Sequence, residues 1–159
     1  MSSKNSIKQV AGHRARNVGL LFETHLEIMT EKHGGTCVKI PNSGRVVGTG
    51  HQKKFVKMKS PFDFMIVKEG RACVLDCKAI NKTSLPFSLL KQHQLKELAK
   101  CAPHIPAGYL VWFQTTDQVV WFEVSILATL KPRESLSPQD GQQLGTTQWG
   151  YNPTKLLSD

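Results

Sequence analysis

The stretch that decides the fold is SPFDFMIVKEGRACVLDCK, residues 60–78. Two apolar runs, residues 62–67 and 72–79, flank a polar tetrad at residues 68–71. Two short apolar runs joined by a tight polar turn are typical of an antiparallel hairpin. Because both runs are apolar on both faces, we expect this hairpin to lie centrally in a sheet that is covered on both sides.

A loop of two residues, Glu69 and Gly70, would place Asp63 opposite Asp76 across this hairpin. Lys78 lies two residues beyond Asp76 and therefore points to the same face of its strand. Like charges that face each other across strands are destabilising, so a cation between the carboxylates would relieve the repulsion. Oxygen ligands at this density suit Mg²⁺ or Mn²⁺. The alternative is a solvated Asp76–Lys78 pair on an edge strand, with Asp63 simply opening its own strand.

The charge of the chain is unevenly distributed. The 159 residues have a formal net charge of +9. Residues 1–62 contain 11 Lys and Arg against 3 Asp and Glu, whereas residues 63–159 contain 10 against 9. A basic excess confined to one part of a chain is typical of proteins that bind polyanions, with nucleic acid the first candidate and acidic membrane the second. No amphipathic basic helix with aromatic anchors supports the membrane alternative.

Other classes of protein are disfavoured by what the sequence lacks. No apolar run is long enough to span a membrane, and the first residues have no secretory apolar segment, so we expect a cytoplasmic protein without a membrane partner. No glycine-rich phosphate loop or Ser/His/Asp array is present, and we expect no small-molecule cofactor. The four cysteines lack zinc-type spacing and are expected to be reduced and buried, at positions Cys37, Cys73, Cys77 and Cys101.

The remaining pattern predicts a single domain over residues 1–159, built as a mixed α/β sheet with helices covering it. Residues 1–11 are interpreted as a flexible basic arm and residues 131–159 as a weakly structured C-terminal segment. The tryptophans at 112, 121 and 149 are expected in the core, and the alternative is that they are platforms for base stacking. Apolar periodicity predicts helices over residues 12–33, 87–101 and 124–130, and strands over 36–40, 107–113 and 119–122.

Residues 41–59 separate two predicted strands and carry no acidic residue. Short apolar pairs on either side of the glycines at 48 and 50 indicate a small β-ribbon. Long connections in compact domains are usually functional or disordered, so this segment is either a solvated loop or a basic projection into DNA. Its cations are Arg45, Lys53, Lys54, Lys57 and Lys59.

Two polar residues lie on helix faces that we expect to pack against the sheet. Glu23 borders Leu26 at the edge of the apolar stripe and could direct a third carboxylate towards the end of the hairpin. Gln94 interrupts the stripe formed by Leu90 and Leu98. A buried amide needs hydrogen-bond partners, and these would be either a strand-edge backbone or the hairpin carboxylates.

Asp63, followed after a turn by Asp76, Cys77 and Lys78, resembles the motif of the PD-(D/E)xK nuclease superfamily. The surrounding sequence is similar to the RecU family of Holliday junction resolvases, in the same order from about residue 14 to residue 130. The matching segments are NVGLLFE at residues 17–23, KIP at 39–41, NKTSLP at 81–86 and HQ at 93–94. Asp76 stands where the family usually has Glu, and Pro61 stands where a threonine is common.

This resemblance implies a restriction-endonuclease-like mixed β-sheet flanked by helices, with a protruding basic β-ribbon. It also implies a homodimeric endonuclease that resolves four-way DNA junctions by Mg²⁺-dependent phosphodiester hydrolysis and gives symmetric nicks, with Mn²⁺ able to substitute. Two alternatives stay open: another endonuclease of the same superfamily that acts on duplex DNA, and a non-catalytic protein that binds junctions.

The resemblance also assigns roles to individual residues. The implied catalytic residues are Glu23, Asp63, Asp76, Lys78 and Gln94. The implied metal ligands are Asp63, Asp76, Glu23 and the backbone carbonyl of Cys77. The residues expected to bind nucleic acid are Arg14, Arg16, Arg45, Lys53, Lys54, Lys57, Lys59 and Lys82.

Overall fold

The computed structural model describes the backbone of residues 3–158 and the side chains of residues 12–158. The helices are α1 (Ser3–Lys32), α2 (Gln92–Cys101) and α3 (Val124–Leu127). The strands are β1 (Thr36–Lys39), β2 (Ser43–Val47), β3 (Lys54–Met58), β4 (Phe64–Lys68), β5 (Arg71–Ile80), β6 (Leu85–Pro86), β7 (Ala107–Phe113), β8 (Gln118–Glu123), β9 (Ser135–Leu136), β10 (Gln142–Thr146) and β11 (Gly150–Tyr151).

Seven strands form one mixed sheet in the order β1-β4-β5-β7-β8-β10-β11, in which β5 and β7 are parallel and the other pairs antiparallel. Helix α1 buries Phe22 and Leu26 on one face of the sheet. Leu95 and Leu98 of α2 pack on the other face, together with α3. The expected mixed sheet flanked by helices is therefore confirmed. No helix in the described part of the chain is long and apolar enough to cross a bilayer.

The central hairpin has the register that the sequence predicts. Lys68 pairs with Arg71 and Phe64 pairs with Leu75. Glu69 and Gly70 adopt positive φ angles of 51° and 77°, as a two-residue hairpin turn requires. Strand β4 begins at Phe64, but β5 continues for five residues beyond Leu75. The last part of β5 therefore has a strand partner on its β7 side and none from β4 on its other side.

The segment between β1 and β4 forms the predicted ribbon. Strands β2 and β3 pair over five residues as a separate two-stranded sheet. Almost every residue of this ribbon is exposed. The ring of Phe55 lies over Gly44, where an added Cβ would come within 2.0 Å of the ring. This packing is internal to the ribbon, which otherwise makes its surface available to a partner.

The helix boundaries differ from those predicted. Helix α1 begins at Ser3, so the backbone that was expected to form a flexible arm is helical from there. Residues 1 and 2, and the side chains up to residue 11, lie outside the described part. Helix α2 begins at Gln92 rather than near residue 87, because Phe87–Leu89 forms a separate 3-10 turn directly after Pro86.

The C-terminal segment, expected to be weakly structured, instead completes the sheet. Strands β10 and β11 extend its edge, and Tyr151, Leu156 and Leu157 are buried on the α1 side. The sequence hid these strands because β10 reads QQLGT and buries only Leu144 in full. The expectation that all three tryptophans are core was also wrong, since Trp149 is 84% exposed on the turn between β10 and β11.

Candidate active site

The two aspartates of the hairpin meet at the start of β4. Asp76 lies on β5, on the face covered by α2, and is completely buried. Asp63 directly precedes β4, and its backbone N–H donates to the carbonyl of Leu75 at 3.1 Å. The two carboxyl groups lie close enough for Asp63 to raise the pKa of Asp76. The predicted juxtaposition of Asp63 and Asp76 is therefore present.

Two further polar side chains hold the carboxylate of Asp76. Lys78 places its Nζ 2.5 Å from Oδ2 of Asp76. The amide Nε2 of Gln94 donates to Oδ1. Oδ2 of Asp76 has no partner with hydrogen-bond geometry, so Lys78 holds it by charge. The buried amide of Gln94 thus contacts the hairpin carboxylate, and the alternative of a strand-edge backbone partner is excluded for its NH₂ group.

Tyr109 links this cluster to the start of helix α2. Its strand β7 pairs with β5 so that Tyr109 lies beside Asp76. The hydroxyl of Tyr109 donates to Oε1 of Gln94 at 3.5 Å, and it accepts the backbone N–H of Lys91 at 3.2 Å. The ammonium of Lys78 also lies 5.3 Å from the centre of the Tyr109 ring. Sequence reasoning missed Tyr109, since it is one aromatic residue within an apolar strand.

Burial controls the ionisation of Asp76. Removal from water, the largest effect, and the neighbouring Asp63 both raise the pKa of Asp76, whereas the charge of Lys78 lowers it, and the net result is a pKa of about 7. Burial disfavours the charged carboxylate, Asp63 favours the protonated form, and Lys78 favours the charged form. A buried carboxyl that is poised to ionise near neutral pH is typical of functional sites.

Glu23 is held away from this pair. Its carboxylate forms a 2.6 Å ion pair with Lys39 of β1. Within the described residues, no group of three or more His, Cys, Asp or Glu side chains is placed to hold a metal ion. The structure therefore brings together Asp63, Asp76, Lys78 and Gln94, and it does not add Glu23 to them as a third carboxylate.

The remaining donors fit one divalent cation. The N–H of Cys77 donates to Oδ2 of Asp63 at 3.3 Å. In a strand, the N–H and C=O of one residue point to the same side, so the Cys77 carbonyl also points towards the gap beyond β4. Two carboxylates and a carbonyl are oxygen ligands of the kind that Mg²⁺ and Mn²⁺ prefer. Burial raises the pKa of the Cys77 thiol, so its side chain supplies no charge.

A basic cavity of about 370 Å³ opens beside Asp63. Its lysines come from two elements, since Lys57 and Lys59 lie at the base of the ribbon and Lys91 lies at the start of α2, where His93 also lines the cavity. Partial desolvation, followed by the charges of Lys59 and Lys91, lowers the pKa of His93. Sequence reasoning assigned neither Lys91 nor His93 to DNA, although both lie within three residues of Gln94.

The other residues expected to bind nucleic acid are on the surface. Those of the ribbon surround the cavity or extend away from it, and all of them are exposed. Lys82 is exposed just after β5, and two arginines are exposed on α1. These residues are Arg14, Arg16, Arg45, Lys53, Lys54, Lys57, Lys59 and Lys82.

The fold is similar to that of a solved nuclease. The structure of Archaeoglobus fulgidus Hjc, described as a Holliday junction resolvase from an archaeal hyperthermophile, matches with a TM-score of 0.55 and 16% sequence identity. The match covers 79% of this chain and 95% of that chain. No protein-family model matches the chain, and no curated protein is significantly similar in sequence. The similarity shows a restriction-endonuclease-like fold.

The raised pKa of Asp76 predicts that Asp76→Asn stabilises the metal-free protein at high pH. A raised folded pKa gives stability that is full below the unfolded value of 3.8 and is lost as pH rises through about 7. In EDTA at pH 8.5 we expect the variant to unfold with a free energy roughly 1–3 kcal/mol above wild type, and at about pH 3, below the unfolded pKa, we expect the two to be similar. Urea denaturation measures both.

The matched control is Glu31→Gln, which removes an exposed carboxyl on α1 and should change stability little at either pH. Mg²⁺ should raise the stability of wild type at pH 8.5 and not that of Asp76→Asn. A variant that is less stable than wild type in EDTA at pH 8.5 would contradict the account of Asp76.

Proposed function

We propose that this protein is a metal-dependent endodeoxyribonuclease that resolves four-way DNA junctions. The observation that carries the proposal is the buried carboxyl of Asp76 in contact with Asp63, Lys78 and Gln94. Burying a carboxyl group beside a second one is costly, so a fold retains such a pair when it has a partner or a chemical task. A cation bound between the two carboxyl groups would supply both the partner and the chemical task.

The proposed substrate class rests on three features of different kinds. The ribbon and the cavity present cations that can hold phosphates without reading bases, as suits a substrate recognised by shape. The fold is similar to that of a protein described as a Holliday junction resolvase. The residues around the hairpin resemble the RecU family. The proposal therefore includes a RecU-like enzyme that cleaves the two strands symmetrically.

Asp63, Asp76 and the Cys77 carbonyl are the proposed ligands of the metal. Bound there, Mg²⁺ or Mn²⁺ supplies polarisation of the scissile phosphate and a lower pKa for coordinated water. Lys78 stays near the carboxylates and stabilises the negative charge that develops on the phosphoryl oxygens. Gln94 fixes the orientation of Asp76 through its amide, and Tyr109 in turn holds Gln94. In this proposal Glu23, paired with Lys39, contributes negative charge at the margin of the site.

Symmetric nicks need two sites, and an exposed face of α1 supports a homodimer. Leu20, Leu21 and Ile28 are each more than half exposed, at 58%, 61% and 56%. Residues seven and eight apart lie on one side of a helix, so these side chains form one apolar strip. We propose that this strip packs against the same strip of a second copy.

The charges of α1 favour an antiparallel pairing of the two helices. Arg14 and Arg16 precede the strip, and Glu27 and Glu31 overlap and follow it. A two-fold axis that crosses both helices places the basic part of one copy near the acidic part of the other. A parallel arrangement would place like charges together.

The first test compares wild type and Asp76→Asn on a labelled four-way junction and a linear duplex, with Mg²⁺ or EDTA. We expect paired symmetric nicks on the junction alone. Asp76→Asn should lower the cleavage rate by at least about 1,000-fold, because it removes a metal ligand, while junction affinity stays within a few-fold. Denaturing gels give the nicks, and mobility shifts in EDTA give the affinity.

Two other results would replace the proposal. Equal cutting of the linear duplex would make the protein a general endonuclease on the same fold. Tight junction binding without cutting under Mg²⁺ or Mn²⁺ would make it a junction-binding protein.

The cavity lysines should contribute to phosphate binding. Lys59→Ala combined with Lys91→Ala is expected to weaken junction binding and to reduce the slope of log affinity against log salt by about 1–2, since each lost phosphate contact removes about 0.9. The matched control is Lys100→Ala, at the opposite end of α2, which should leave the slope unchanged. An unaltered slope in the double variant would remove the cavity from the DNA interface.

Substitutions in the α1 strip should dissociate the proposed dimer. We expect Leu21→Glu with Ile28→Glu to give a monomer by sedimentation velocity at micromolar concentration, where wild type is dimeric, because the charges would be buried in an apolar contact. The control is Val46→Glu, an equally exposed apolar residue on the ribbon. Dissociation by the control alone would assign the interface to the ribbon instead.

A further inference from the structure

The indole of Trp149 lies on the surface and has no role in the candidate active site. This side chain is 84% exposed in the turn between β10 and β11. Trp121 and the half-buried Trp112, by contrast, lie within or against the core. A tryptophan presents a large apolar surface, so full exposure is costly unless a partner covers it.

The turn that carries Trp149 is held firmly in place. The carboxylate of Asp117, in the turn between β7 and β8, accepts the backbone N–H groups of Thr147 and Gln148 at 3.0 and 3.1 Å. It also accepts the indole N–H of Trp112 at 2.9 Å. The N–H of Trp149 itself donates to Oγ1 of Thr146 at 3.0 Å. The exposed indole therefore stands on a fixed backbone, which lowers the entropy cost of binding through it.

Trp149 lies at the same end of the sheet as the carboxylate pair. The strand pairings place Ile80 beside Phe113, Phe113 beside Gln118, and Thr146 beside Gly150 at this end. Counting strand spacings and residue rises from Asp76 puts the turn roughly 20 Å away, about the width of a DNA duplex. The ribbon lies at the opposite edge of the same end, so the proposed cleavage site lies between the two.

Polar groups connect the site to this turn. Lys82 is exposed directly after β5, next to Asn81. Oγ1 of Thr115 donates to Oδ1 of Asn81 at 3.4 Å, and Thr115 belongs to the same turn as Asp117. A strand of DNA that follows this end of the sheet from the carboxylate pair towards β11 would pass Lys82 before it reaches the indole. A cation followed by an exposed aromatic ring is the combination that binds unpaired nucleotides.

We propose that Trp149 stacks on an unpaired base at the branch point of the junction. The inference rests on the proposed function, because it needs a DNA substrate with bases that are exposed or easily unstacked. Perfect duplex offers no such base away from its ends, so stacking on Trp149 would favour branched DNA over linear DNA. Trp149 is thus a specificity-determining residue and takes no part in the chemistry.

The test uses the full chain carrying Asp76→Asn, which prevents cleavage, and compares Trp149→Ala with Trp149→Phe. The DNA probes are a four-way junction with 2-aminopurine at the branch point and a linear duplex of matched length. We expect Trp149→Ala to weaken junction binding by about 5- to 50-fold and Trp149→Phe by less than about 3-fold, because phenylalanine retains a stacking face. Duplex affinity should be unchanged in both.

Fluorescence gives a second readout that a merely structural role would not move. Junction binding should quench the emission of the parent protein, and the quenching should be lost in Trp149→Phe, which keeps Trp112 and Trp121. The 2-aminopurine emission should fall on binding to the parent and less on binding to Trp149→Ala. Both variants should unfold at the temperature of the parent, since the indole makes little contact with the core.

The outcomes separate this inference from the function on which it rests. Selective junction binding that is unchanged in Trp149→Ala would overturn the stacking role and leave the resolvase proposal standing. An equal loss of affinity for junction and duplex would also overturn it, because base stacking on paired DNA is not available. A change in sedimentation of Trp149→Ala would assign the indole to a protein interface. No preference of the parent for the junction would overturn both proposals.

Discussion

The burial of one carboxyl group, that of Asp76, is the constraint on which this site depends. Its charged form is disfavoured by loss of water and by Asp63, and it is favoured by Lys78. The side chains that interact with this carboxyl group are Asp63 in the segment before β4, Lys78 on β5 itself, and Gln94 on α2. Because Gln94 is also buried, helix α2 cannot shift along the sheet without leaving two polar groups without partners. Packing and chemistry therefore fix the same arrangement.

The contacts of Asp76 require one particular register of the hairpin in the sheet. A slip of one residue in β5 would turn Asp76 towards α1 and bring Cys77 to the face of Gln94. The left-handed turn at Glu69 and Gly70 prevents the slip at one end. The seven paired residues between β5 and β7 prevent it along the strand. The position of Asp76 is thus set by backbone pairing along the whole length of β5.

Sequence reasoning predicted those parts of the site whose geometry is local. Turn length and strand alternation gave the position of Asp63 relative to Asp76, and helical periodicity gave the inward direction of Gln94. Glu23 differs because its partner, Lys39, lies on a strand whose pairing with β4 involves residues more than 20 positions away. The C-terminal strands were not predicted for another reason. They extend the edge of the sheet with polar residues, so their sequence shows little apolar periodicity. Trp149 could not be placed without them.

The unequal lengths of β4 and β5 explain how a buried carboxylate can still reach a ligand. Beside the start of β4, Asp76 stays buried under α2 on one face of the sheet, and β5 is paired with β7 along one edge. Along the other edge, the backbone N–H of Cys77 donates to the side chain of Asp63 instead of to a strand. This difference in strand length therefore leaves the Cys77 carbonyl without a partner on β4, lets Cys77 orient the carboxylate of Asp63, and places the basic cavity beside it. A β4 strand two residues longer would pair with Cys77 and close the gap, so the proposed metal site depends on the start of β4 at Phe64.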